Sequence, residues 1–412
     1  MNIGIYLSDI KPSDGGIFQY SLYLLRMLNS CDKIEHISVF INKGTKDLYF
    51  DVLDQPKIHK IFIDYPGKIT GFLKQFSDFW LNRYYMRQYP KPLFLKFYKL
   101  LNPDRYKLNS YTIDLLHVPR PYSPAYRLKY PVVLTMHDVQ HFHFPEFFTP
   151  IQRIQKAITY QVSVQEADHI IVSFSHIKKD LVKYFQVEES KISVCGVPLT
   201  YDWLSGDASD IDELRSRYPV PDDFILTPAA TWEHKNHLAI LDALSMLKQE
   251  NFRVCWVATG HKTSFYKNIC RKIKELGLED QVLFTGVVSD KDLKGLYSRA
   301  SLVVIPTLYE AGSGPLFEAM RYSVPVICSS VTSLPETIGN MDFVFDPHNI
   351  SDIALKIKKG LTDTDYILRN KANSIIQTEE LVKRDYKQEY TAAYSRIISG
   401  GTVKKQLQCQ KN

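Results

Sequence analysis

Residues 302–320 read LVVIPTLYEAGSGPLFEAM. The first five, Leu302–Pro306, are apolar and largely β-branched, the pattern of a strand buried on both faces. A loop follows, holding Glu310, Ala311, Gly312, Ser313 and Gly314, and Pro315 stands where a helix would begin. Two carboxylates, Glu310 and Glu318, thus bracket a glycine-rich turn, one in the loop and one about a turn into the helix. A turn of this kind leaves backbone N–H groups aimed at an anionic ligand, and Glu318 at the same end can accept hydrogen bonds from sugar hydroxyls.

The same strand, loop and helix alternation extends in both directions. Before it come strand candidates Asn2–Leu7, His36–Ile41, Lys57–Ile63, Asp114–Val118, Val132–Met136 and His169–Ser173. In the second half they are Phe224–Thr227, Arg253–Ala258, Val282–Thr285, Leu302–Pro306 and Val326–Cys328, with helices starting near Asn236, Ser264, Asp290 and Pro315 and after Ser333. Asn236 and Ser289 occupy expected N-cap positions. The pattern implies α/β architecture with two doubly wound parallel sheets, broken around Gly196–Ser209, where GVPLTYDWLSGDAS mixes Pro, Gly, Ser and Asp. A chain of 412 residues suits two domains.

Composition narrows the function. No run approaches 18 apolar residues, so no spanning helix is expected, and the start MNIGIYLSDIK lacks the basic and apolar regions of a secretory leader, which points to the cytosol. Six scattered cysteines, with no C-x-x-C pair, argue against a disulfide framework or structural zinc. Between Trp80 and Tyr111 lie Arg83, Arg87, Lys91, Lys96, Lys99, Arg105 and Lys107 against the single acid Asp104, an excess equal to the whole chain's net charge of +6. Trp80, Tyr84, Tyr85, Tyr89, Phe94, Phe97 and Tyr98 are interleaved, and Pro90 and Pro92 interrupt the stretch. Residues 80–111 therefore suit an anionic membrane surface, or a helical insertion with a basic solvated face and an aromatic core face. Nothing else in the chain supports nucleic-acid binding.

In open parallel sheets ligands bind beyond the carboxyl ends of strands. After the first strand come Gly15 and Gly16, which lack the G-x-G-x-x-G dinucleotide spacing. After Val132–Met136 comes His137, and the nearby His141 and His143 lack the further ligand that a metal site needs. After Phe224–Thr227 comes PAATWEHKNH, placing Thr231, His234 and Lys235 before a helix, with Lys235 suited to clamp a diphosphate.

These motifs, in this order, resemble the retaining glycosyltransferases of family 4: GGI at 15–17, TMHD at 135–138, ADHIIVSFSHIKKDL at 167–181, TWEHKNH around Lys235, VLFTGVVSDKDLKGLYSRA at 282–300, Glu310–Glu318, and VPVICSSVTSLPETIG at 324–339. The resemblance implies the GT-B fold, two Rossmann-like domains facing across a cleft. They would be an acceptor-side domain at 1–197 carrying an insertion at about 68–111, and a nucleotide-sugar domain at 198–384. A C-terminal helix within 385–412 would return to the first domain. It implies that Glu318 contacts the nucleotide ribose, Glu310 lies by the donor sugar, Lys235 neutralises the diphosphate, His137 stands near the reacting sugar, and Gly15 and Gly16 form the turn under the diphosphate. Thr231, His234, Gly312, Ser313, Gly314, Pro315 and Leu316 complete the expected donor site.

The resemblance further implies front-face transfer from a nucleotide-diphosphate sugar, either GDP-mannose or a UDP-hexose. The acceptor would be a glycan or lipid-linked glycan in surface polysaccharide assembly, with neither metal nor cofactor. Asp290 and Asp292 match a family capping segment rather than a metal motif. Two departures stand out: no Arg precedes Lys235 within Pro228–Thr231, leaving His234 or a distant base to assist, and the turn reads E-A-G-S-G-P where the family has E-G-F-G-L-P. The competing readings are a nucleotide-sugar epimerase of the same fold and a catalytically inactive binding subunit. Together these features place the protein in the cytoplasm, at most peripheral on the inner membrane face.

Overall fold

The computed structural model describes residues 1–8, 10–63, 68–86, 91–198 and 206–409; Arg87, Tyr89 and Pro90 of the basic stretch, and 199–205 of the expected break, lie outside them. The chain divides into two compact units, residues 1–200 with 385–412, and residues 201–384.

The first unit is built on seven strands: β1 (Asn2–Tyr6), β2 (His36–Ile41), β3 (Ile58–Phe62), β4 (Leu115–Val118), β5 (Val132–Thr135), β6 (His169–Val172) and β7 (Ile192–Val194). They pair in parallel in the order β3-β2-β1-β4-β5-β6-β7, with Ile3 opposite Ile37 on one side and Leu115 on the other. The second unit has β8 (Ile225–Pro228), β9 (Trp256–Thr259), β10 (Val282–Gly286), β11 (Leu302–Ile305), β12 (Val326–Ser329) and β13 (Val344–Phe345), again parallel, in the order β10-β9-β8-β11-β12-β13. Every residue of β4, β5, β6, β9, β11 and β12 is buried, which is why these strands read as continuous apolar runs.

β7 and β13 are absent from the expected set. Three and two residues long, they leave too little periodicity to separate from loop. Asn236 corrects a second expectation. It precedes the helix His237–Gln249, but it sits in the left-handed region (φ 58°) with no side-chain cap bond. Ser289 does cap its helix, accepting from the N–H of Asp292 at 3.1 Å.

The last helix, Tyr386–Cys409, belongs to the first unit. Tyr390, Ala393, Tyr394 and Ile397 form one apolar face, at spacings of three and four, inside that unit's core. Residues 68–111 form the helices Lys68–Tyr85, Pro92–Leu101 and Pro103–Asn109. The aromatics of the expected membrane stretch 80–111 largely face inward: Phe94 and Tyr98 are buried, and Trp80 packs against Phe94 and Phe97 at 5.2 and 5.0 Å.

Candidate functional site

Each sheet has a point where strand order reverses, between β1 and β4 in the first unit and between β8 and β11 in the second. Loops leaving adjacent strands there diverge and leave a crevice at the carboxyl ends. In the second unit these two loops carry Lys235 and Glu310. Lys235 Nζ donates to Glu310 Oε2 at 2.6 Å, joining residues 75 positions apart.

The backbone holds both ends of this pair. The His234 carbonyl accepts from the N–H of Leu308 at 2.7 Å and from Thr307 Oγ1 at 3.0 Å, tying the β8 loop to the β11 loop. The Asn236 amide donates to the carbonyls of Pro306 and Pro347, at 3.1 and 3.0 Å. Glu310 is fixed from the far side, its N–H donating to Thr332 Oγ1 at 3.0 Å and its carbonyl accepting from Thr332 Oγ1 at 2.7 Å and Ser333 Oγ at 3.1 Å. Thr332 holds φ +51°, an unfavourable value for a β-branched residue, where it meets both backbone polar groups of Glu310.

Ser313 caps the helix Gly314–Arg321 by accepting from the N–H of Leu316 at 3.3 Å, and Pro315 lies in the first turn. Gly312 and Gly314 are exposed, while Leu316 is buried. Glu318, one turn in, accepts from the Tyr297 hydroxyl at 2.6 Å, and Tyr297 stacks on Tyr322 at 5.6 Å. Burial pushes the Glu318 carboxyl up to about 7 against the opposing effect of the Tyr297 bond. Oε2 is thus partnered within the protein, and Oε1 lies 3.3 Å from where a Cβ on Gly314 would be.

Two expected donor contacts are spoken for or uncharged. Thr263 N–H donates to Thr231 Oγ1 at 2.7 Å, and Thr231 N–H donates to the His261 carbonyl at 3.0 Å, so buried Thr231 ties the loops after β8 and β9 together. His234 is held down to about 4, by burial first and by the Lys235 charge second. Without a bound anion this favours the neutral ring, which offers a diphosphate a hydrogen bond.

In the first unit, Gly15 and Gly16 lead into the helix Gly16–Asn29. Gly15 has φ +56°, and a Cβ on either residue would meet no atom within 4 Å. The backbone there is open to a ligand without any packing demand for glycine at position 16. His137, after β5, donates from Nε2 to the Pro119 carbonyl at 3.0 Å, which leaves Nδ1 as the ring's acceptor. Burial lowers its pKa, so the ring is neutral. The Tyr20 ring meets His137 edge-on at 4.8 Å.

Behind that ring runs a buried network. Tyr20 Oη bonds Thr135 Oγ1 at 3.0 Å and Tyr390 Oη at 2.7 Å; His117 bonds Thr135 Oγ1 through Nε2 at 2.8 Å and Tyr394 Oη through Nδ1 at 2.6 Å. His117 is pushed down to about 3, by burial and then by His137.

Neither His141 nor His143 joins a metal cluster. His141 is packed among Phe142 and Tyr160, and His143 Nε2 bonds Asp180 at 2.7 Å. Among the described residues no group of three or more His, Cys, Asp or Glu is placed to hold a metal.

Sequence reasoning missed Tyr297, Thr332, Tyr20 and Arg120. Arg120 is buried just past the carboxyl end of β4, its guanidinium over the rings of Tyr6 and Tyr122 at 5.6 and 4.4 Å. Position after a strand end was the signal available for Arg120; the other three act through contacts far along the chain.

Comparison with known proteins covers both units. The family described as "Glycosyl transferases group 1" matches residues 210–379, and "Glycosyltransferase Family 4" matches residues 71–197. O-antigen chain mannosyltransferase B of Escherichia coli is 26% identical over 370 residues, 88% of this chain and 91% of that protein. The serotype-specific mannosyltransferase WbdA of Escherichia coli is 32% identical over 220 residues, 52% of this chain but 27% of WbdA. Among solved structures, Anabaena Alr3699/HepE in complex with UDP and glucose superposes with a TM-score of 0.67 at 17% identity, covering 96% of this chain and 100% of that one. The lipopolysaccharide-biosynthesis glycosyltransferase WaaG does so with a TM-score of 0.62 at 14% identity, covering 96% and 99%. At those identities the likeness speaks to the fold.

Proposed function

We propose that this chain, which belongs to the glycosyltransferases of the family 4 type and has their GT-B fold, moves a hexose from a nucleotide-diphosphate sugar to a glycan or lipid-linked glycan. The transfer retains configuration and needs no metal, and it serves the assembly of a surface polysaccharide. The observation that carries this reading is the Lys235–Glu310 pair at the switch point of the second sheet. Of the two donor types, the mannosyltransferase names of the relatives favour GDP-mannose over a UDP-hexose.

The chemistry follows from charge. Without donor, Lys235 is neutralised by Glu310. An incoming diphosphate offers Lys235 a second anion and frees the Glu310 carboxylate for a sugar hydroxyl. As the glycosidic bond breaks, the diphosphate gains negative charge. A fixed ammonium and the positive end of the helix Gly314–Arg321 then stabilise the transition state more than the ground state.

The sugar becomes oxocarbenium-like and the acceptor oxygen attacks the same face. The departing phosphate oxygen takes the acceptor's proton, so no protein base is required. His137, neutral with Nδ1 as acceptor, suits accepting a hydrogen bond from a sugar hydroxyl. The basic residues of 80–111 would draw the protein toward an anionic membrane carrying the acceptor.

The test is nucleotide release from UDP-, GDP-, ADP- and dTDP-sugars with EDTA present. Release from one donor, lost in Lys235→Ala, is the expected result. No release, together with no thermal shift by any nucleotide, overturns the reading in favour of an inactive binding subunit. Conversion of the donor sugar without a glycan product would instead select the epimerase.

A further inference from the structure

The helix Lys68–Tyr85 has two unlike sides. Its inner side is fastened: Leu81 and Ser77 are buried, Lys74 Nζ donates to the Pro124 carbonyl at 3.0 Å and pairs with Asp104 at 3.0 Å, and the Tyr85 hydroxyl bonds Glu166. Its outer side carries Ile69, Phe72, Phe76 and Phe79, spaced by three and four residues and so aligned along one face. Their exposures are 75%, 65%, 41% and 51%. The phenylalanine rings stand in nearly parallel register, Phe72 to Phe76 at 6.0 Å and 9°, Phe76 to Phe79 at 6.3 Å and 12°. Met86, and Leu93 and Leu100 on the neighbouring helix Pro92–Leu101, are also exposed. Such a contiguous apolar face on a soluble domain marks an interaction surface.

Charge says what covers it. Among the described residues of 68–111, the exposed ionic residues are Arg83, Lys91, Lys96 and Lys99. The only two carboxylates within 68–111, Asp78 and Asp104, are both turned onto Lys74, at 3.4 and 3.0 Å. Aromatic hydrocarbon fringed mainly by cations, with the partly exposed Asp78 already paired to Lys74, matches the interface of an anionic bilayer, where hydrocarbon and negative headgroups lie a few ångströms apart. No helix among the described residues is long and apolar enough to cross a membrane, so the contact lies in the plane of the surface.

We propose that Ile69, Phe72, Phe76 and Phe79 insert as a wedge into the headgroup region of an anionic bilayer, with Arg83, Lys91, Lys96 and Lys99 on the phosphates. This deepens the membrane part of the reading above and rests on it. The inserting group lies before residue 80, and the basic stretch steers and holds it rather than providing the buried contact.

The test is co-sedimentation of the full chain with vesicles of phosphatidylcholine containing 30% phosphatidylglycerol, and with pure phosphatidylcholine. Wild type should partition onto the anionic vesicles and retain part of that binding in 0.5 M salt. The triple variant Phe72→Ser, Phe76→Ser, Phe79→Ser should lose at least tenfold in partitioning and all of the salt-resistant part while keeping its fold, read from its far-UV circular dichroism. Arg83→Glu with Lys96→Glu and Lys99→Glu should abolish the preference for anionic over neutral vesicles.

Serine variants that partition like wild type overturn the proposal, as does a wild type that ignores anionic vesicles. A dimer that the serine variants dissolve, without vesicle binding, overturns it in favour of a second copy on this face. Thermal shift with nucleotide sugars on the same samples keeps the two readings apart, because donor binding does not depend on this helix and vesicle binding does not depend on Lys235.

Discussion

The Lys235–Glu310 pair of the second unit and the His117–Tyr394 network of the first are both polar clusters in an apolar fold, built in opposite ways. The pair is charged and reaches solvent, its side chains 20% and 14% exposed. The network is neutral and fully enclosed, with Tyr20, Thr135, His117, Tyr390 and Tyr394 linked hydroxyl to ring nitrogen. A solvent-touching ion pair is worth about 1 kcal/mol or less, because water competes for both partners. That weakness suits the proposed exchange of Glu310 for a diphosphate. The enclosed network has no competing water, so losing one member leaves another unsatisfied at about 1–3 kcal/mol each. It fastens the returning helix and backs the ring against which His137 rests.

The contrast breaks first at Lys235. Lys235→Ala should lower turnover by about a hundredfold or more while moving stability by about 1 kcal/mol or less, read from kcat on the accepted donor and from urea unfolding. A large stability loss with turnover preserved would reverse the assignment of the two clusters.

His117→Leu should do the converse, costing about 3 kcal/mol because Tyr394 and Thr135 lose their partner. Wild-type His117 has a folded pKa near 3, below the unfolded value of 6.5. Its contribution is therefore complete above pH 6.5 and fades as pH falls toward 3. The deficit of the variant should shrink in acid, checked by urea unfolding at pH 7.5 and pH 5.

Glu318 sharpens the comparison through pH. In the proposed donor complex a ribose diol donates to this carboxyl and favours the anion, while burial pushes its pKa up to about 7. Donor binding should therefore release a proton, and affinity should fall about tenfold between pH 8 and pH 6. Calorimetric titration of the nucleotide sugar would show this slope in wild type and a flat profile in Glu318→Gln. The sign for stability is opposite to that of a paired carboxylate. A raised folded pKa means that wild-type stability declines as pH climbs from about 4.5 to about 7, and Gln removes the decline.

The smallest effect is expected at Tyr20. Tyr20→Phe keeps the edge contact with the His137 ring and removes the hydroxyl bonds, so stability should fall by about 1 kcal/mol with kcat within about twofold of wild type. Tyr20→Ala removes both and should lower kcat as well. Equal kcat in the two variants would separate the network from His137.

The strands were legible where they are buried on both faces: Leu302–Ile305 and Val326–Ser329 are apolar runs because no side of them meets water. β13, two residues against one neighbour, has no such run to read. The residues of the second unit's site were legible one at a time, Lys235 by its place before a helix and Glu310 by its glycine-rich turn. Their contact was not, because it depends on β8 and β11 being neighbours in the sheet. His234 shows the limit from the other side. Its residue type permits a charge, and burial beside Lys235 disfavours it.

The sequence alone determined the alternation of strands and helices, the family motifs and the concentration of basic residues in 80–111, because periodicity, turn chemistry and charge are local properties of the chain. Tertiary structure alone decided that Lys235 meets Glu310, that Thr332 accepts a left-handed backbone to hold it, that Tyr297 occupies one oxygen of Glu318, and that Phe72, Phe76 and Phe79 face outward while Phe94 and Tyr98 are covered. Each of these depends on strand order or on which helix face is covered, and neither is encoded within any single stretch of residues.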